Sequence, residues 1–453
     1  MIPTFKESIC YLTAIAGIAP AAFAGEPLPV SKEYWNDPSF VSSFNGSYKI
    51  NARIEPTVSS EQRAMLVQVQ ERMKKGLRES ALSLLVNSSL TKSSAALLYN
   101  RGNIELELGK SEEAIKSYKL ALERFPSFRR AFKNLGTAYI QLSEYDEAEK
   151  ALREAVKLGE LDGSTLGLLG YCYLQNEQYA SALQAYKMAQ LTEPDVIDWK
   201  AGLAQCLGEV GDDEEALALL KEVVEARPTE TSYQLLLVNI QLKLELEEDA
   251  IAGLELLRKQ GLLEGRNLSL LASLYLRDED LRMAKPVIAE LQKSLSAESV
   301  ASFLRTINEV VTIAEWEYAG ELLEVVSAVD KNSKDQNTEN RIKAFVLIQK
   351  GEEGAVELLE KVLESDPLDG EALLMLAGVK AGEKDYEHAA LLYERAEKIP
   401  AVQYRALVES AKVLVTQKRY KSALQQLIAA QELQPSDSLE KYLNAVESLA
   451  KSW

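Results

Sequence analysis

The sequence predicts an all-α protein, an α-solenoid of about ten or eleven stacked helix–turn–helix units closed by a C-terminal capping helix. Three observations predict it. One alanine recurs at a fixed interval along most of the chain. Small and aromatic residues hold constant places around each of these alanines. Glycines and prolines fall where helices should end.

The alanines are Ala81, Ala114, Ala148, Ala182, Ala216, Ala250, Ala284, Ala319, Ala355, Ala389 and Ala423. Successive spacings run from 33 to 36 residues, and seven of the ten are 34. A period of this length is the signature of stacked helical hairpins. The stretch from Ala95 to Phe128 is the clearest unit. Leu98 and Gly102 lie one turn apart on a first helix, which Gly109 ends. Ser111, Glu112 and Glu113 open a second helix, with acidic residues at its positive end. Ala114, Tyr118 and Ala121 share one face of it, and Pro126 stops it.

The next unit repeats the pattern with Phe132, Leu135, Gly136, Tyr139, Ala148, Leu152 and Ala155. The third carries Leu166, Leu169, Gly170, Tyr173, Ala182, Tyr186, Ala189 and Pro194. The fourth keeps Ala216, Leu220 and Pro228, and the last two keep Leu376, Ala389, Tyr393, Ala396 and then Ala423, Leu427, Ala430, Pro435. From Gln62 to Ser436 this arrangement resembles the tetratricopeptide repeat (TPR) family, of the exported bacterial type. The resemblance implies a right-handed superhelix with a concave groove lined by first helices. The small residues are expected where the two helices of a unit cross, Gly102 facing Ala114 and so on, because a bulky side chain would push them apart.

Around the repeats the chain divides further. Residues 1–24 read as a signal peptide: Lys6 is a weakly positive start, Ile9 to Ala19 is apolar or small, and Ala22-Phe23-Ala24 offers a cleavage site. Cleavage near Ala24 would send the chain to the periplasm or another extracytoplasmic space; the alternative is a membrane tether formed by the uncleaved segment. Residues 25–58 are not repeat-like, being interrupted by Pro27, Pro29, Pro38 and Pro56 and rich in aromatics such as Tyr34 and Trp35. This stretch fits an arm capping the first helix pair. It also fits a partner-binding segment or a removable plug in the groove.

Residues 59–329 form an N-terminal array, degenerate after about 231, where Val238, Ala272 and Ile307 replace the small residue of the first helix. Pro286 should kink a second helix or delay its start. The polar run Asp330 to Asn340 has no apolar face and reads as a hinge or a loop insertion. Residues 341–453 form a C-terminal array and capping helix, whose apolar face carries Leu439, Leu443, Val446 and Ala450.

The composition narrows function. Asp and Glu outnumber Lys and Arg by 69 to 51, a net charge of −18 that disfavours nucleic acid. The single histidine, His388, rules out a multi-histidine metal centre, and neither a nucleophile elbow nor a phosphate-binding glycine loop occurs. Carboxylate clusters such as Asp212 to Glu215 sit in turns before second helices, where they are solvated. No enzyme activity, cofactor, metal or small-molecule substrate is expected, and no integral membrane segment after cleavage. Cys172 and Cys206 occupy equivalent places in adjacent units and should be buried, separate thiols.

The resemblance carries a groove onto Tyr99, Asn103 and Glu107, then Arg130, Lys133, Asn134, Thr137 and Gln141, then Tyr171 and Gln175. This would be a polar, aromatic, locally basic surface. Some family members grip a peptide's C-terminal carboxylate with a lysine–asparagine clamp. Asn103 and Asn134 match it, but Tyr99, Ser164 and Leu168 stand where its basic residues should be. An extended, partly acidic segment of a partner protein is expected instead; a solvated groove with no single ligand also fits. The resemblance implies a non-catalytic protein–protein scaffold or adaptor of the cell envelope. The alternative is a component of a secretion or polysaccharide-export assembly.

Overall fold

A computed structural model describes Val30, Tyr34 and residues 55–451. The signal-peptide reading of 1–24 and most of the aromatic stretch after it lie outside these residues. The described chain holds 23 α-helices and no strand. Eleven consecutive pairs are followed by a single last helix, Asp437–Lys451, which buries Leu439 and Val446.

The helices are α1 (Ser60–Lys74) and α2 (Arg78–Val86), then α3 (Ala95–Glu107) and α4 (Ser111–Arg124), α5 (Arg129–Gln141) and α6 (Tyr145–Lys157), α7 (Gly163–Gln175) and α8 (Tyr179–Thr192), α9 (Ile197–Val210) and α10 (Asp213–Ala226), and α11 (Thr231–Lys243) and α12 (Glu247–Lys259). After them come α13 (Gly265–Arg277) and α14 (Leu281–Lys293), α15 (Val300–Thr312) and α16 (Trp316–Ser327), α17 (Ser333–Lys350) and α18 (Ala355–Ser365), α19 (Gly370–Gly382) and α20 (Tyr386–Ala396), and α21 (Gln403–Thr416) and α22 (Tyr420–Leu433).

The ends of these helices follow from local chemistry. Between the two helices of a pair one residue adopts a left-handed backbone. Gly109 and Gly211 do this at φ 73° and 90° without strain, whereas Ser143, Glu177, Glu245 and Glu279 do it at φ 56° to 59°. Prolines at 126, 194, 228, 367 and 435 follow the ends of second helices by two residues. Pro286 lies inside α14, five residues after its first, so the start of that helix is not delayed.

The periodic alanines are buried throughout, all but Ala355 completely. The small residue of the first helix, however, meets a different partner from the one expected. A Cβ on Gly102 would lie 2.6 Å from the Tyr118 ring, on Gly136 2.6 Å from Leu152, and on Gly170 3.0 Å from Tyr186. Each glycine therefore makes room chiefly for a large side chain one turn beyond the alanine. Where Val238 replaces the glycine, the small residue moves to the other helix: a Cβ on Gly253 would lie 3.0 Å from Val238 Cγ2.

The described chain divides into two compact units, one ending at Gly253 and the other beginning at Leu254. Within each unit consecutive first helices from α3 onward touch one another, and no two consecutive second helices approach as closely among the described residues. Within each unit these first helices thus form one row. The polar run at 330–340 is not a loop: Asn332 caps α17 by accepting from the Asp335 amide, and residues 333–340 are its first turns. This stretch folds without an apolar stripe because its inward polar groups are paired. Lys331 and Glu339 form an ion pair at 2.9 Å, with both side chains only 4% exposed. Ser327 and Gln336 donate to the same carboxylate.

Candidate binding face of the N-terminal unit

The first helices α3, α5 and α7 carry the residues expected to line a groove, and the structure brings most of them together. It does not leave them open. Tyr99, Asn103, Lys133, Asn134, Thr137 and Tyr171 are all buried, Arg130 and Gln175 are half-buried, and Gln141 alone of the set is exposed. The expectation of an open polar surface is corrected at these buried positions.

The amides and phenols bond to each other. Asn134 Nδ2 donates to Tyr99 Oη at 3.0 Å and to Asn103 Oδ1 at 2.9 Å, and Tyr118 Oη donates to the same Asn103 oxygen at 2.9 Å. Buried polar groups need such partners, and a closed network of them fixes the spacing of α3, α4 and α5. Burial pushes the Tyr99 phenol up to about 12, against the pull of Arg130. Thr137 turns inward to its own helix, donating to the Lys133 carbonyl at 3.1 Å. Tyr171 meets Tyr145 edge-on at 5.7 Å, and Gln141 accepts from Ser111 at 2.8 Å. Glu107 accepts from Arg78 Nε at 3.0 Å.

The charged residues form a second cluster. Lys133 Nζ donates to both carboxylate oxygens of Asp162 at 3.1 Å, and Asp162 also caps α7 by accepting from the Thr165 amide at 2.7 Å. Arg129 pairs with Glu160 at 2.9 Å. Burial and the hydrogen bond from Glu160 to Asp162 push Glu160 up to about 7, outweighing Lys133 and Arg129. Asp162 is held low despite its burial, with Lys133 the main cause.

Two residues from outside the repeats complete the face. Glu55 accepts a two-pronged bond from Arg130, Nε at 2.8 Å and Nη2 at 2.9 Å, and is 6% exposed. Such a fork is a strong, directional carboxylate contact. The same guanidinium lies over the Tyr99 ring, 5.7 Å from its centre. Tyr34 donates to Ser164 Oγ at 2.9 Å, and its ring meets Trp199 edge-on at 4.8 Å. Trp199 can lie there because α7 has Gly167 beneath it; a Cβ at that position would stand 2.4 Å from the indole. Burial raises the Tyr34 phenol well above its usual value, reinforced by the carboxylates of Glu193, Asp162 and Asp198. These contacts of Tyr34 and Glu55 reach α5, α7 and α9.

The comparisons agree with the register of the helices. Family models described as tetratricopeptide repeat match residues 95–128, 133–196, 173–240 and 353–403. The chain carries tetratricopeptide repeats. Among curated proteins it is similar to the TPR repeat-containing protein YpiA of Bacillus subtilis, at 35% identity over 120 residues, 26% of this chain and 28% of that relative. Among solved structures it is similar to MamA from Desulfovibrio magneticus RS-1, at 21% identity and a TM-score of 0.35, covering 38% of this chain and 99% of that one. It is also similar to yeast Tom70, at 12% identity and a TM-score of 0.41, covering 86% and 96%.

Sequence reasoning missed Glu55, Trp199, Gly167 and the role of Ser164 as an acceptor. Gly167 and Gly202 were the available signal: both are helix-interior glycines at places where the other repeats do not use one, and both make room for an aromatic of a neighbouring helix, Trp199 and Tyr186. Nothing in the sequence pointed from Glu55 to Arg130. Elsewhere, Cys172 and Cys206 are buried and unbonded, and burial pushes both thiols up, Cys206 to about 12. His388 is exposed and bonds Asp385 at 2.6 Å. No group of three or more metal-ligating side chains, and no helix long and apolar enough to cross a membrane, occurs among the described residues.

Proposed function

We propose that this chain is a non-catalytic scaffold or adaptor of the cell envelope that holds a partner protein, or an extended peptide of one, against the first helices of its N-terminal unit. One observation carries the reading. That face already receives two side chains from a non-repeat segment, Glu55 at Arg130 and Tyr34 at Ser164 and Trp199, as a peptide-binding surface would. Export rests on Lys6, the apolar stretch from Ile9 to Ala19 and the Ala22-Phe23-Ala24 site.

Two measurements in the source cells test this. A photo-crosslinking residue at Gln141 or Gln175, on the first-helix side, should capture a distinct protein, and the same residue at Glu147, on the second-helix side, should not. A reporter that is active only outside the cytoplasm, fused after Trp453, should be active. Equal capture from both sides would remove the face as the binding site. A silent reporter in a stably produced fusion would remove the envelope role.

A further inference from the structure

We propose that the N-terminal face takes a peptide presenting an uncharged tyrosine to the Ser164–Trp199 pocket and a carboxylate to Arg130, and that this chain's own Tyr34 and Glu55 hold both places until such a peptide displaces them. This rests on the reading of the face as a peptide site and names the chemistry it selects.

The two places select differently. At the first, Ser164 Oγ accepts a phenol hydroxyl at 2.9 Å and the Trp199 edge packs on its ring at 4.8 Å. Asp162, Glu193 and Asp198 lie close enough to act on that phenol electrostatically. A tyrosine bearing a phosphate would bring negative charge against three carboxylates, so the pocket should reject it. At the second, the Arg130 fork is presented in carboxylate geometry and backed by the Tyr99 ring. Beside this fork, Arg129 pairs with Glu160 and Lys133 with Asp162, so three cations and two carboxylates remain there when Glu55 is withdrawn. The protein is strongly acidic as a whole, at −18, yet this spot then favours an incoming carboxylate.

Tyr34 and Glu55 are 21 residues apart. Such a length reaches about 70 Å when extended, while neighbouring helices stack about 10 Å apart. A competing peptide that presents both groups therefore need not copy the spacing. The arm competes at the high effective concentration of a tethered ligand, which lowers the apparent affinity of any outside peptide by the fraction of time the face is free.

The test uses the full chain and a fluorescent synthetic peptide with the sequence of residues 25–58. The Tyr34→Ala/Glu55→Gln chain should bind it saturably and at least tenfold more tightly than the unaltered chain. Adding Arg130→Ala should weaken that binding at least tenfold, and a peptide phosphorylated at its Tyr34 position should fail to bind. Equal affinity for both chains, no binding by a variant whose melting temperature is kept, or equal binding of the phosphorylated peptide would overturn the proposal. Should the double variant unfold, Glu55→Gln alone replaces it; an affinity no tighter than that of the unaltered chain would then overturn the proposal. Capture of a partner from Gln141 or Gln175 in cells, with no peptide competition in vitro, would overturn this proposal and leave the scaffold reading standing.

Discussion

The two units solve the same charge problem in different ways. In both, a cation on one first helix pairs with the aspartate that caps the next: Lys133 with Asp162 in the N-terminal unit, Arg341 with Asp369 at 3.2 Å in the C-terminal unit. The C-terminal unit also pairs charges within its own array, Arg405 of α21 with Glu371 of α19 and Lys331 with Glu339 of α17. The N-terminal row departs from it at Arg130, whose carboxylate comes from Glu55, 75 residues away and outside the repeats. The difference teaches that pairing within a row is a matter of stability, whereas pairing with a segment from outside is a binding event that happens to be intramolecular.

Substitutions at the two kinds of pair should therefore have unequal costs. Lys331→Met leaves Glu339 buried in a helix that cannot move away, and should cost about 3–5 kcal/mol in denaturant unfolding of that unit. A cost below about 1 kcal/mol would show that Ser327 and Gln336 suffice for the carboxylate. The glycines sharpen the contrast next. Gly102→Ala would place a methyl 2.6 Å from the fully buried Tyr118 ring and should destabilise by about 1–3 kcal/mol. Gly320→Ala in α16 meets nothing within 4 Å and should stabilise by up to about 1 kcal/mol.

The charge cluster of the N-terminal unit adds a pH dependence. Glu160 is raised to about 7, so the folded state binds its proton more tightly than the unfolded chain does. That stability is fully present below the unfolded carboxylate value and is lost as pH rises through about 7. Unfolding measured from pH 5 to 8 should show a fall on the order of 1–3 kcal/mol that Glu160→Gln abolishes. An unchanged slope in the variant would place the titration elsewhere. The smallest effect belongs to Arg130→Ala. Because Glu55 can return to water with its segment, the loss in stability should stay under about 1 kcal/mol. A loss as large as that of Lys331→Met would make the arm a structural part of the unit.

Much of the architecture could be read from the sequence because it is repetitive. The alanine register, the turn glycines and the trailing prolines each act locally, and each recurs often enough to fix the helix pairs. The polar run at 330–340 was misread because an apolar stripe was the only helix signal considered; Lys331, Ser327 and Gln336 satisfy Glu339 instead. The candidate face was half legible. Tyr99, Asn103 and Asn134 bond to one another, and repeat positions alone do not distinguish an outward amide from an inward one. The partners of Glu55 and Tyr34 were beyond reach because they lie 75 and 130 residues away, with no pattern linking them.

The central claim is that Tyr34 and Glu55 occupy the N-terminal face as a displaceable ligand. The most direct measurement is the rate at which a bulky thiol reagent modifies a Ser164→Cys chain, with Cys172 and Cys206 as buried, slowly reacting references. The account predicts slow modification in the otherwise unaltered chain. It predicts at least tenfold faster modification once Tyr34→Ala and Glu55→Gln are added, and a return to the slow rate with saturating 25–58 peptide. The same rate in all three conditions would contradict it.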